Sequence, residues 1–218
     1  MLPLQAEAMP AETGGSSRFI WSIAETFLAL LLFIAALPFI LLAALVVWIL
    51  SRRAPFVTHR RAGQNGKPLP LLKLRTMWPA PAGGRHFALM EPIRDESGPS
   101  AKAEDDARVA NAFARFCRVH SIDELPQLWH VVCGQMSLVG PRPLTFRELR
   151  EHYGADADEI LRAKPGITGL WQVSGRNRLT YEQRRQFDLR LVREASPRLT
   201  LFILRRTLGA VLTGRDAW

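Results

Sequence analysis

Residues Ser22 to Leu50 read SIAETFLALLLFIAALPFILLAALVVWIL, and in all that length Glu25 is the one charge. As a helix the stretch would reach roughly 43 Å, against about 30 Å for the hydrocarbon layer of a bilayer. It is too long for the core of a cleavable signal, and no small-residue cleavage motif follows it. Membrane insertion is therefore the expected fate. Pro38, near the middle, lacks the amide needed for one helical hydrogen bond and crowds the preceding turn. Two arrangements fit: a kinked single pass, and a re-entrant hairpin whose two half-length helices enter and leave by the same face. Arg52, Arg53, Arg60, Arg61 and Lys67 place the C-terminal side in the cytoplasm. The N-terminal side sets Arg18 against Glu7 and Glu12 and is nearly neutral, so loop charge leaves both arrangements open.

The whole chain has 218 residues, enough for one domain with a modest core. Its formal net charge of +9 favours anionic partners. Nucleic acid, anionic lipid and phosphorylated substrates all satisfy that balance. Two cysteines, Cys117 and Cys133, are too few for a disulfide scaffold and fit a reducing compartment.

Around the membrane segment the chain reads as mainly α with short β and loop pieces. Met1 to Ser17 has the small, Pro- and Gly-containing composition of a disordered tail. GQNGKPLPLLKLRTM, from Gly63, is a turn at Gln64-Asn65-Gly66 between short apolar runs. Pro79 to Asp106, rich in Pro, Gly and charge, reads as a long mobile excursion. Ala107–Cys117, Leu144–Leu161 and Tyr181–Glu194 are helix candidates. KPGITGLWQVSGRN, between the last two, reads as strand and loop. The C-terminal piece starts with a cap at Ser196 and Pro197 at the first helical position. Leu201, Leu204, Leu208 and Leu212 share a face there, serving either the core or a membrane interface.

The chemistry centres on RVHSIDELPQLWHVVCGQMSLVGPRP, Arg118 to Pro143, which sets Asp123 beside Glu124. Consecutive helical side chains point about 100° apart, so the two acids can take different roles at one site. A carboxylate can act as a nucleophile toward phosphorus, and carboxylate oxygen suits Mg²⁺ shared with substrate phosphates. An Asp-Glu pair after a serine is, by itself, also an ordinary helix start. The cationic company favours the chemical reading. Arg142 sits in a stiff Gly-Pro-Arg-Pro, where its planar guanidinium matches phosphate oxygens. Gly166, Gly169 and Gly175 permit close backbone approach, and Arg176 adds a further phosphate partner. No P-loop or dinucleotide fingerprint is present. Cys117-x-x-His120 and His130-x-x-Cys133 offer a mixed zinc set, but at an unusual spacing and within apolar, helix-like sequence.

SIDELPQLWHVVCGQMSLVGPRP, KPGITGLWQVSGRN and GQNGKPLPLLKLRTM, in combination, resemble the bacterial sugar transferases, the monotopic phosphoglycosyl transferase superfamily. The similarity runs from about Arg18 to the C-terminus. It implies transfer of a sugar 1-phosphate from a UDP-sugar to polyprenyl (undecaprenyl) phosphate, with UMP released, at the start of a surface glycan or exopolysaccharide. It also implies a re-entrant helix over residues 18–50 broken at Pro38, following the tail at 1–17. Residues 51–218 would then form a catalytic domain with interfacial helices on the cytoplasmic face of the inner membrane, both termini cytoplasmic. In this likeness Asp123 matches a nucleophile that forms a covalent phosphosugar intermediate, and Glu124 a partner tied to Mg²⁺. Arg118, Arg142, Arg176, Gly175, Lys73 and Arg75 match the phosphate- and nucleotide-binding set. The bilayer is the implied partner, nucleic acid is not, and a homodimer stays open.

The chain departs from the family pattern at several positions. Leu74 stands where Phe is common, and Glu25 where an Asp is usual. His130 to Gln135 replaces Asn-Val-Leu-Lys-Gly-Asp, and Thr200 replaces an acid. TGLWQVSGRN and the terminal GRDAW are most similar to enzymes that start from a hexose such as galactose or glucose. Two rival readings are a membrane-anchored nucleic-acid- or lipid-binding protein and an inactive scaffold of the same fold. The first predicts basic clusters interleaved with aromatics, whereas the arginines here lie within the motifs. The intact Asp123-Glu124 pair speaks against the second.

Overall fold

In the computed structural model, residues 15–78, 88–93, 109, 111–175 and 178–214 are described. The first element is a single helix, α1, over Gly15–Ser51, with Pro38 inside it. It is the one described helix long and apolar enough to cross a membrane. Of the expected N-terminal tail, residues 1–14 lie outside the described residues; from Gly15 the chain is already helical.

The sequence of α1 is apolar all round, but its packing is not. Ala29, Ile40, Ala43, Ala44 and Val47 are buried, and Phe33 and Ala36 are partly so. These positions recur at helical spacing and form one stripe. The N-terminal part of that stripe, Ala29, Phe33 and Ala36, packs on Leu69, Leu71, Leu128, Val131, Met136 and Leu138. Ala43, Ala44 and Val47 pack on Leu74, Trp78, Ala114 and Cys117. Alanines at 29, 36 and 43 let the helix backbone come close to the domain. The opposite face, with Phe27, Ile34, Phe39, Leu41, Leu42 and Ile49, is exposed.

Glu25 belongs to the same stripe. Its Oε1 accepts hydrogen bonds from Ser137 Oγ at 2.6 Å and from the Leu138 amide at 2.7 Å. The lone charge of the apolar segment is thus a pin between α1 and a strand of the domain.

The GQNG turn is as read: β1 (Phe56–Ala62) and β2 (Pro68–Leu74) pair antiparallel, Phe56 opposite Leu74 and Ala62 opposite Pro68. Asn65 (φ 56°) and Gly66 (φ 72°) supply the left-handed conformations that reverse the chain. Part of the Pro79–Asp106 excursion is ordered: β3 (Met90–Ile93) pairs parallel with β1, so β2 and β3 form the two edges. Residues 79–87 and 94–106 lie outside the described residues.

The expected helix at Ala107–Cys117 begins later. Asn111 caps it through Oδ1, which accepts from the Ala114 amide, giving α2 over Ala112–Val119. Its Phe116 is exposed rather than core. A 3-10 segment, Ile122–Gln127, leads into α3 (Leu128–Val132) and β4 (Ser137–Val139). The expected helix at Leu144–Leu161 is broken into α4 (Phe146–Glu148), a π turn, a 3-10 turn and α5 (Ala157–Leu161). The break coincides with Gly154 at φ 50°. KPGITGLWQVSGRN holds not only β5 (Gly166–Thr168) but a short helix, α6 (Leu170–Ser174), which its glycine content had argued against.

β5 pairs parallel with β4. A Cβ on Gly166 would lie 2.1 Å from the Gly140 amide nitrogen, and one on Gly169 2.6 Å from the Gly140 carbonyl. These glycines therefore serve backbone-on-backbone packing, which draws the Gly-Pro-Arg-Pro loop onto the PGITG strand, rather than a ligand cradle.

The last two helices, α7 (Tyr181–Arg193) and α8 (Pro197–Thr213), start at Thr180 and Ser196 caps. On α8 the core contact is made by Ile203, with Leu199 beside it, against Leu170 and Leu191. Leu201, Phe202, Leu208 and Leu212 point outward. The leucine stripe read from the sequence is thus mostly an exposed apolar face, flanked by Arg205 and Arg206, as an interfacial helix requires. Thr200 is half-buried in the first turn of α8, and nothing in the structure explains its replacing an acid.

Replacing Glu25 by Ala removes the acceptor for two donors and should destabilise the detergent-solubilised protein by about 1–3 kcal/mol, since unsatisfied buried donors carry that cost. Glu25→Gln keeps one acceptor oxygen and should lose less. Chemical unfolding of the three proteins in one detergent, followed by tryptophan fluorescence, gives the ranking.

Candidate active site

Asp123 and Glu124 sit at the start of the 3-10 segment, directly after a sharp change of direction. α2 ends at Val119, and Ser121 adopts a left-handed conformation (φ 55°, ψ 26°) that non-glycine residues seldom take. Retained strain of this kind is found where the surrounding structure fixes a particular side-chain placement. Here it turns the chain so that Asp123 faces inward, only 5% exposed, beside the wholly buried Cys117. Burial, and secondarily the Asp123 charge, push the Cys117 thiol up to about 11, so this cysteine stays a neutral packing residue.

Glu124 is reached from β2. Lys73 Nζ donates to its Oε1 at 2.7 Å, with both side chains largely shielded from solvent. Lys73 is thus a partner of the acid. Arg75 is placed differently from the expectation. Its Nε donates to the Ala54 carbonyl at 2.8 Å and its guanidinium pairs with Glu91 of β3. A buried guanidinium so engaged ties the end of α1 to both edge strands; it is a structural clamp. Leu74, between these two basic residues, fills the apolar cluster under Ala43, Ala44 and Val47.

Arg118 is buried in the last turn of α2, five positions before Asp123. Arg142 belongs to a second polar cluster. Its guanidinium lies 5.5 Å from the centre of the Trp171 ring, and Arg184 stands 4.9 Å from the same ring. Beside Arg142 lies Asp188, a wholly buried carboxyl that accepts from Tyr153 Oη at 3.0 Å. Burial pushes Asp188 up to about 7 against the opposing pull of Tyr153 and of the nearby Arg142 and Arg184. The Tyr153 hydroxyl is raised in turn by burial and then by Asp188. Glu148 accepts from the Thr145 amide and hydroxyl, two residues beyond the Gly-Pro-Arg-Pro.

Sequence reasoning passed over Asp188, Tyr153, Arg184 and Trp171 as functional neighbours. The available signal was an acid embedded in FDLRL, on the packed side of α7. Gly175 ends α6, where a Cβ would lie 3.1 Å from the Leu179 side chain. Arg176 lies outside the described residues.

The zinc alternative finds no geometry. His130 Nε2 accepts from the Leu72 amide, His120 Nδ1 is bonded to the Val211 carbonyl, Cys117 is buried and Cys133 exposed. Among the described residues no three metal-ligating side chains converge. Mg²⁺ asks for less, since it uses one or two carboxylates with water and substrate phosphates. The Asp123-Glu124 pair is a hard-oxygen set of that kind.

Comparison with known proteins places the chain in a family. The sequence profile of the family described as "Bacterial sugar transferase" matches residues 16–214. The chain is 39% identical over 210 residues to the UDP-galactose-lipid carrier transferase of Erwinia amylovora, covering 93% of this chain and 42% of that protein. It is 38% identical over 218 residues to the exopolysaccharide production protein ExoY of Sinorhizobium fredii, covering 96% of this chain and 94% of that one. A third relative, the UDP-glucose:undecaprenyl-phosphate glucose-1-phosphate transferase of Caulobacter vibrioides, is 35% identical over 83% of this chain and 65% of its own length. With a profile match that runs from α1 through α8 and takes in both polar clusters, the chain belongs to the bacterial sugar transferase family.

Proposed function

We propose that this protein transfers a sugar 1-phosphate from a UDP-sugar to polyprenyl phosphate, starting a surface glycan or exopolysaccharide. The observation that carries the reading is the pairing of a buried Asp123 with a Glu124 held by Lys73 on a strained turn. The relatives' names supply the substrate class, with galactose in one and glucose in another, and a hexose donor is the reading for this chain.

In the first step an Asp123 carboxylate oxygen attacks the phosphorus that bears the sugar. The new bond is P–O to Asp123; the bond broken joins that phosphorus to the bridging oxygen, which leaves on UMP with the electron pair. In the second step an oxygen of polyprenyl phosphate attacks the same phosphorus. The aspartyl P–O bond breaks, yielding the polyprenyl diphosphate sugar and free Asp123. Splitting the transfer this way lets a water-borne donor and a lipid-borne acceptor use one site in turn. A poorly hydrated carboxylate gains nucleophilicity, while the guanidiniums of Arg118 and Arg142 are suited to offset the phosphate charge. Mg²⁺ would be held by Glu124 together with the donor's phosphates, where it supplies charge neutralisation for the leaving group. Lys73 orients Glu124 for that task.

The membrane arrangement follows from α1. Glu25 and Val47 are about 33 Å apart along an ideal helix, yet both are fastened to the same domain. A helix leaving the domain to cross the bilayer would have to give up one end of that contact. We therefore favour a monotopic seating in which α1, one continuous helix through Pro38 rather than two halves broken there, stays fastened along the domain at the cytoplasmic face, with the exposed faces of α1 and α8 in lipid.

Four measurements test these points. Purified protein with Mg²⁺, undecaprenyl phosphate and a panel of UDP-hexoses should release UMP, and no release with any donor rejects the transferase. Asp123→Asn should abolish both UMP release and a donor-dependent mass adduct on the protein; an adduct that persists moves the nucleophile elsewhere. Chelation of divalent ions should stop turnover and added Mg²⁺ restore it, while Glu124→Gln raises the Mg²⁺ concentration needed; turnover indifferent to chelation removes the metal. For topology, a cysteine placed at Ser16 should resist an impermeant maleimide applied from the periplasm. Labelling there would establish a single pass.

A further inference from the structure

His130 and Gln135 lie five residues apart around the end of α3, and the structure gives the pair a joint task. β2 is an edge strand, and the Leu72 amide meets His130 Nε2 at 3.1 Å in place of a neighbouring strand. An amide can only donate, so Nε2 offers its lone pair and the hydrogen of the neutral ring sits on Nδ1. That hydrogen is donated to Gln135 Oε1 at 2.7 Å. The chain folds back to allow this: Gly134 is left-handed (φ 71°), and the Gln135 and Met136 amides both donate to the His130 carbonyl. His130 is almost wholly buried. One residue past Leu72, Lys73 makes its bond to Glu124.

We infer that the His130–Gln135 pair is a positioning device: it fixes the β2 backbone at Leu72 and thereby holds Lys73 on Glu124. The Leu72 amide fixes Nε2 as the acceptor, and Gln135, able to present either end of its carboxamide, meets the resulting Nδ1–H with its oxygen. Gln135 thus completes the geometry through a neutral partner. The effect on catalysis rests on the transferase reading above; the effect on Lys73 does not.

The test uses the full-length protein in lipid nanodiscs and reads Lys73 directly. Amine acetylation by a small reagent, quantified by peptide mass, compares Lys73 with the exposed Lys67 as internal reference. Lys73 should label slowly in the wild type. His130→Phe, which keeps the ring shape and loses both bonds, should raise the Lys73 rate about fivefold, in line with loss of one buried hydrogen bond. His130→Gln retains an acceptor that reaches Leu72 and should restore protection. Should the Phe variant fail to fold, Gln135→Leu, which removes the acceptor for Nδ1–H, should give a smaller rise. Unchanged Lys73 labelling in every folded variant of this set overturns the inference.

On activity, His130→Phe should lower kcat about tenfold with little change in KM for the donor, and should add nothing in a Lys73→Met background. Multiplicative losses would mean that His130 acts other than through Lys73. Absence of UMP release by the wild type counts against the transferase reading alone, because the labelling result stands independently.

Discussion

Contact between the inner stripe of α1 and the domain beneath it is what the rest of the structure depends on. Small residues at 29, 36 and 43 bring the helix backbone close, and Glu25 supplies a directional bond where apolar packing alone would let the helix slide or rotate. The same contact covers β2 and α3, so the surfaces that carry Lys73 and adjoin the acidic pair take part of their shape from the long apolar helix.

The site itself rests on two independent supports. Asp123 and Glu124 are presented by the left-handed Ser121 and steadied from β2, whose free edge is occupied by His130. Arg142 sits in the second polar cluster, beside Asp188 and Trp171 and next to the glycine-on-glycine contact of β4 with β5.

Much of this was legible in the chain. The GQNG hairpin, the Ser196-Pro197 start of α8 and the Thr180 start of α7 are local signals, set by turn stereochemistry and capping hydrogen bonds over a few residues. Non-local matters were not. KPGITGLWQVSGRN looked unfit for helix, but the five residues of α6 are packed against α7 and α8, where burial of Leu170 and Trp171 outweighs propensity. Leu201, Leu208 and Leu212 could serve either the core or a membrane interface, because periodicity marks a face without saying what lies opposite it. Arg75 looked like a phosphate ligand because a motif cannot show that Ala54 and Glu91 already surround its guanidinium.

By itself the sequence determined that one long segment is apolar enough to enter a membrane, that acids, arginines and glycines gather in three motifs, and that the motifs resemble one transferase family. Those properties depend on composition and short-range order. Only the tertiary structure decided which face of a uniformly apolar helix meets protein, why its one acid is there, and that Lys73 serves Glu124 while Arg75 does not. It also decided that His130 and Gln135 form a pair. Each of these is a contact between groups distant along the chain, and such contacts are chosen by burial and hydrogen-bond satisfaction across the whole fold.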